Sequence, residues 1–141
     1  MVIFTFGAYE LDDDPARLDL DVMWEFLSQA YWNRNRTRAA FEAQVASAWR
    51  VVGAYEAATG RQVGFARAVS DGAFFAYLAD VFVLPAERGT GLGKELVATM
   101  IDRGPGAGFR WTLHTADAHS LYRKFGFAEP DATYMERPRR A

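Results

Sequence analysis

The sequence predicts an α/β (α+β) domain in which helices flank a mixed central sheet. Three observations carry that reading. Strand-like and helix-like segments intermix along the whole chain, as in layered sheet proteins. The run Phe74–Leu84, the helical pattern from Gly91 and the β-rich Phe109–Thr115 form a strand–helix–strand crossover, which makes those two strands parallel. Ala58-Thr59-Gly60-Arg61 is a hairpin-type turn between two further strands. The 141 residues are 50% hydrophobic and 15% aromatic, enough for one core without covalent staples, so residues 1–141 read as one domain.

The elements follow in order. Val2 to Phe6 is a short strand, and Asp12 to Pro15 a loop. A helix is expected from about Asp19 to Trp32, with Leu18, Val22, Met23, Phe26, Leu27 and Ala30 on one broad face. Trp24 and Tyr31 lie behind that face and need a second surface, which could be an acceptor, the sheet edge or a second copy in a homodimer. Asn33 to Arg36 breaks the pattern. Thr37 is an N-cap for a second helix that ends near Trp49. Strands follow at Val51–Ala57, Gln62–Val69 and Phe74–Leu84, and Pro85 ends the last because it lacks a ladder donor. Leu92, Leu96, Val97 and Met100 mark a third helix that stops at Gly104-Pro105-Gly106. Phe109–Thr115 is a strand, Ala118–Phe125 a short helix and Thr133–Arg137 a last strand.

Composition removes several functions. With no cysteine there is no disulfide framework, no Cys-type zinc site and no cysteine nucleophile. His114 and His119 have no accompanying set of metal-ligand spacing, so no metal is expected. A net charge of −2 with 24% charged residues gives no electrostatic case for nucleic acid. The start, MVIFTFGAYELDDDPAR, lacks the basic lead and long apolar run of a signal peptide, and no run reaches membrane-spanning length. A cytoplasmic protein without a membrane partner is the expectation.

The sharpest local signal is Val83-Leu84-Pro85-Ala86-Glu87-Arg88-Gly89-Thr90-Gly91-Leu92-Gly93-Lys94. A strand ends, a glycine-rich turn follows, and a helix begins. Backbone N–H groups point outward at such a junction and favour an anion such as a pyrophosphate. A Walker loop fails, because Arg88 stands where its first glycine belongs and Glu95 where its Ser/Thr belongs. A dinucleotide fingerprint fails at Lys94 or Leu96. What remains is R-x-x-G-x-G at Arg88, Gly91 and Gly93.

That motif after V-x-P resembles the acetyl-CoA-binding signature of the GCN5-related N-acetyltransferase (GNAT) superfamily. Leu121-Tyr122-Arg123-Lys124-Phe125-Gly126-Phe127 resembles the superfamily's L-Y-x-x-x-G-F segment, and the element order between the two motifs also agrees. The resemblance implies a sheet that splays around acetyl-CoA between Phe74–Leu84 and Phe109–Thr115. It implies pantetheine on the backbone of Phe82, Val83 and Leu84. The pyrophosphate would rest on the N–H groups of Arg88, Gly89, Thr90, Gly91, Leu92, Gly93 and Lys94. A small-molecule amine would attack the thioester directly, an N–H near Val83 would hold the oxyanion, and Tyr122 would act as general acid. Tyr122 also reads as a core aromatic beside Leu121 and Phe125.

Two departures from the family stand out. Tyr77–Val83 resembles the polyamine-acetylating branch, but Ala79 replaces its glutamate. Thr115 stands where many members have an asparagine and could bond cofactor through its hydroxyl. Asp80 reads either as the base that deprotonates the amine or as a structural carboxylate. The family's acceptor region corresponds here to Trp24, Tyr31, Trp32, Arg34 and Arg36, an aromatic wall with arginines suited to an aromatic or carboxylate-bearing amine. Three functions compete: small-amine acetylation, a non-catalytic acyl-CoA sensor, and acetylation of protein lysines or N-termini.

Overall fold

The computed structural model describes residues 1–33 and 35–140. They form one six-stranded sheet in the order β1-β2-β3-β4-β5-β6, with strands β1 (Val2–Phe6), β2 (Tyr9–Asp12), β3 (Arg50–Glu56), β4 (Gln62–Ser70), β5 (Phe75–Val83) and β6 (Arg110–Thr112). β1 to β5 pair antiparallel, whereas β6 joins β5 in parallel through the helix α3 (Leu92–Ile101). The mixed α/β architecture and the parallel crossover are those expected.

Two cores lie on opposite faces of the sheet. α3 covers one, placing Leu92, Leu96, Val97 and Met100 against Val52, Ala54, Ala66 and Leu78. α1 (Leu20–Leu27) and α2 (Arg38–Ser47) cover the other, where Met23, Leu27 and Phe41 meet Val51, Phe65 and Phe82. Asp19 caps α1 by accepting from Val22 N–H, and Thr37 caps α2 by accepting from Ala40 N–H. Arg50, buried in β3, donates to the carbonyls of Thr99 and Met100, so a cation closes the negative end of α3.

Four boundaries differ from expectation. β2 (Tyr9–Asp12) is a strand not expected from the sequence; it overlaps the expected loop Asp12–Pro15 only at Asp12, whose carboxylate takes Arg17 at 3.1 Å. α1 ends at Leu27, and Tyr31 and Trp32 lie in the linker to α2. β6 covers three residues rather than Phe109–Thr115, since its ladder with β5 ends at Tyr77↔Thr112. Thr133–Arg137 forms no strand; Tyr134 instead donates its hydroxyl to Glu136, whose carboxylate also meets His114 Nε2. Among the described residues no helix is long and apolar enough to cross a membrane.

Candidate active site

The break in the sheet creates the site. β5 runs on to Val83, but beyond Tyr77 no described strand pairs with its outer edge. A register shift against β4 falls at the same place, between the pairs Phe65↔Phe82 and Arg67↔Ala79. Asp80 sits in this bulge with φ 55, the left-handed region that aspartate and asparagine tolerate better than most side chains. Past the bulge, Leu84 N–H donates to Val63 O at 2.8 Å. Strand alternation therefore turns Leu84 and Phe82 toward β4 and Val83 toward the free edge. Of the three residues expected to present backbone to a ligand, Leu84 has its N–H engaged inside the sheet, and Val83 is the one that faces out. The Val83 carbonyl accepts from Arg88 Nε at 3.1 Å.

The glycine loop meets this edge. Gly89 and Gly91 adopt φ 84 and 88, which a side chain at either would strain, and Gly91 is the N-cap of α3. Gly93 is different. Its φ is ordinary, and an added Cβ would sit 3.8 Å from Val83 Cγ2, an ordinary contact. Nothing inside the protein requires glycine there. The N–H groups of Gly89, Thr90, Gly91, Gly93 and Lys94 donate to no described residue. Arg88 and Leu92, expected to join them, have theirs engaged by Pro85 O and Thr90 Oγ1 at 3.3 Å each. The loop is thus a cradle of free N–H donors at a helix N-terminus, with the geometry of an anion site.

Tyr122 lies in α4 (His119–Arg123), 8% exposed, with its ring edge-on to Phe127. Its hydroxyl bonds to no described side chain and is not sealed from solvent. Burial first, then the charge of Asp117, push its pKa up to about 12. Tyr122, Thr115 and Trp111 also line a cavity of about 380 Å³ between β6, α4 and the segment reaching Tyr134. Thr115 accepts from Ala118 N–H at 3.0 Å, so its hydroxyl shapes the turn into α4.

The α1–α2 linker crosses the splayed strands. Tyr31, 58% exposed, accepts from Ala116 N–H at 3.3 Å and donates to Asp117, beside α4. Trp32 packs edge-on against Tyr31 and points Nε1 at Asp80 Oδ1, 3.4 Å away. These two aromatics lie between the Asp80 bulge and the start of α4. Trp24 lies apart from them: half-buried, it stacks on Phe41 at 5.5 Å beside the α1–α2 core. Arg34 lies outside the described residues.

Asp80 is the hub of a buried ion network. Arg36 Nη1 and Nη2 meet its two oxygens at 2.9 and 3.1 Å, and Arg67 Nε reaches Oδ2 at 2.9 Å. Arg36 also donates to Asn33 and Gln44. Burial pushes the Asp80 pKa up, but the hydrogen bond from Arg36 and the charges of Arg67 and Arg36 together outweigh it and hold the group below its ordinary range. A carboxylate so stabilised accepts a proton poorly. Arg36, expected to face an acceptor, is committed to the network. Arg67 was missed, yet the sequence carried a signal: a lone charge inside the apolar run Gln62–Ser70, which is costly without a partner.

The geometry is that of a known family. The family model for GNAT acetyltransferases matches residues 10–127. The chain belongs to the GNAT acetyltransferase family. It is similar to a solved structure from Xanthomonas campestris pv. campestris assigned to the same family, with 38% identity, a TM-score of 0.83 and 92% of each chain covered. A second, from Deinococcus radiodurans, shares the fold at 21% identity, with a TM-score of 0.73 and 97% of this chain and 94% of that one covered. Among curated proteins, serotonin N-acetyltransferase 2 of rice is 40% identical over 76 residues, covering 52% of this chain and 38% of that protein. A Gibberella zeae protein assigned as an acetyltransferase is 30% identical over 108 residues, 64% of this chain and 61% of that protein. The chain thus spans less than two thirds of the length of these two curated relatives.

Proposed function

We propose that this chain is an acetyl-CoA-dependent N-acetyltransferase that acts on the primary amine of a small molecule. The observation that carries the reading is the run of free N–H groups at Gly89, Thr90, Gly91, Gly93 and Lys94 beside the unpaired Val83 edge. A pyrophosphate fits that cradle, and the missing side chain at Gly93 leaves room for it. Acetyl-CoA supplies the thioester that an amine attacks and the thiolate that departs.

The chain's residues then divide the work. Val83 N–H, on the free edge, is placed to donate to the oxygen that gains charge. Tyr122, held protonated by burial, donates its proton to the departing sulfur. Tyr31 and Trp32 offer aromatic surface to the acceptor, in keeping with the relation to a serotonin N-acetyltransferase. Asp80 acts as the anchor that fixes Arg36 and the linker, not as the base. Thiol release from acetyl-CoA, followed against a panel of amines, tests the reading. Release that depends on an added amine is expected. CoA binding without release for any amine would favour a sensor module instead.

A further inference from the structure

Arg67 is a buried charged group most of whose hydrogen-bonding capacity the described residues leave unused. Its side chain is 9% exposed, so it has lost most of its water. Its single hydrogen bond to a described residue is Nε to Asp80 Oδ2 at 2.9 Å. The four N–H bonds of its Nη1 and Nη2 have no described acceptor. They are also not sealed in, because the fully buried polar atoms without partners among the described residues are Tyr55 Oη and Glu87 Oε2. The guanidinium fork therefore keeps some contact with solvent. Arg36 differs, with donors directed to Asn33, Gln44 and Asp80.

The charge count points the same way. Two guanidiniums against one carboxylate leave one net positive charge in the buried group Arg36–Asp80–Arg67. Burying an uncompensated charge is expensive unless something pairs with it. Trp32 Nε1 also points at Asp80, so the neighbour on the linker side adds a donor, not an acceptor. Tyr77, beside Arg67 on the same face, directs its hydroxyl to His114 Nδ1 at 2.7 Å and supplies no anion. Asp117, the carboxylate at the rim, is engaged by Tyr31.

We infer that Arg67 is a specificity-determining residue, and that the acceptor is an amine carrying an anionic group, carboxylate or phosphate, which the Arg67 fork receives. This rests on the acetyltransferase reading and narrows its acceptor. A planar guanidinium with two free NH₂ groups suits a bidentate anion. The same net charge disfavours polycationic acceptors, consistent with Ala79 standing where a polyamine-acetylating enzyme carries glutamate.

The test uses matched amines that differ in the anion: phenylalanine against phenethylamine, and O-phosphoethanolamine against ethanolamine. kcat/KM is measured by thiol release, and binding to the CoA-loaded protein by calorimetry. One pair should show the anionic member favoured by about 10–100-fold, the worth of a charge-assisted hydrogen-bond pair; which pair does so separates carboxylate from phosphate. In Arg67→Met that ratio should collapse toward one. Arg67→Lys keeps the charge, loses the fork and should restore part of it; melting curves identify the folded variants. Equal use of both members of each pair, or an anion preference that survives Arg67→Met in folded protein, overturns the inference and leaves the acetyltransferase reading intact. Absence of turnover with all four amines counts against that reading, and the calorimetric ratios then decide the Arg67 assignment on their own.

Discussion

Replacing Asp80 with asparagine separates an anchor from a base. Asn keeps the size and the tolerance for φ 55 that the bulge demands, and removes only the charge. The side chains of Asp80, Arg36 and Arg67 are 3%, 9% and 9% exposed, so two guanidiniums would be left buried without a counter-ion. Removing one partner of a buried ion group costs about 3–5 kcal/mol. For a chain of this size that lowers Tm by roughly 10–20 °C. The pH dependence has a definite sign. Asp80's pKa is lower folded than unfolded, so its contribution is present above the unfolded value and lost as pH falls through the folded one. The gap in Tm between wild type and Asp80→Asn should therefore be full at neutral pH and narrow below about pH 4. Calorimetric melts from pH 3 to 8 measure it. A variant that melts within about 1 kcal/mol of wild type yet has lost turnover would refute the anchor role and make Asp80 the base.

Other expected outcomes follow from the same geometry. Gly91→Val forces a branched side chain to φ 88, with its Cβ 3.5 Å from the Phe6 ring, and so distorts the loop; CoA affinity should vanish in calorimetry while the circular dichroism of the folded protein persists. Tyr122→Phe removes a hydroxyl that no described side chain uses, so the melt should be unchanged and turnover should fall by about 10²–10⁴-fold. With Tyr122 raised to about 12, the wild-type rate should climb with pH as the amine loses its proton and show no Tyr122-dependent fall until well into the alkaline range. Trp24→Ala breaks the stack on Phe41 and should cost about 1–3 kcal/mol of stability while leaving the acceptor KM alone.

The sequence exposed what depends on local pattern and concealed what depends on distant pairing. The glycine loop was legible because alternating glycines at a helix start are unfavourable without another use for the backbone. The crossover and the alternation of β3 to β5 were legible from periodicity. β2 was not, because four residues carry too little periodicity and its terminal Asp12 meets Arg17 only once the chain is folded. Trp24 was misread because helical spacing shows that a residue leaves one face, not that a second helix covers the other. Tyr31 and Trp32 were placed near the acceptor face, though in a helix that in fact ends before them. Arg36, Arg67 and Asp80 belong to three segments, and no local pattern announces that they meet.

The central claim is that a loop of free backbone N–H groups and the unpaired edge of β5 together hold the pantetheine–pyrophosphate arm of acetyl-CoA. Amide chemical shifts recorded while CoA is titrated into isotope-labelled protein test it most directly. The N–H signals of Gly89, Thr90, Gly91, Gly93, Lys94 and Val83 should move together and saturate with the calorimetric affinity, while Leu84, bonded to Val63 across the sheet, should move least. CoA that binds without moving the loop amides, or that fails to bind, would contradict the account.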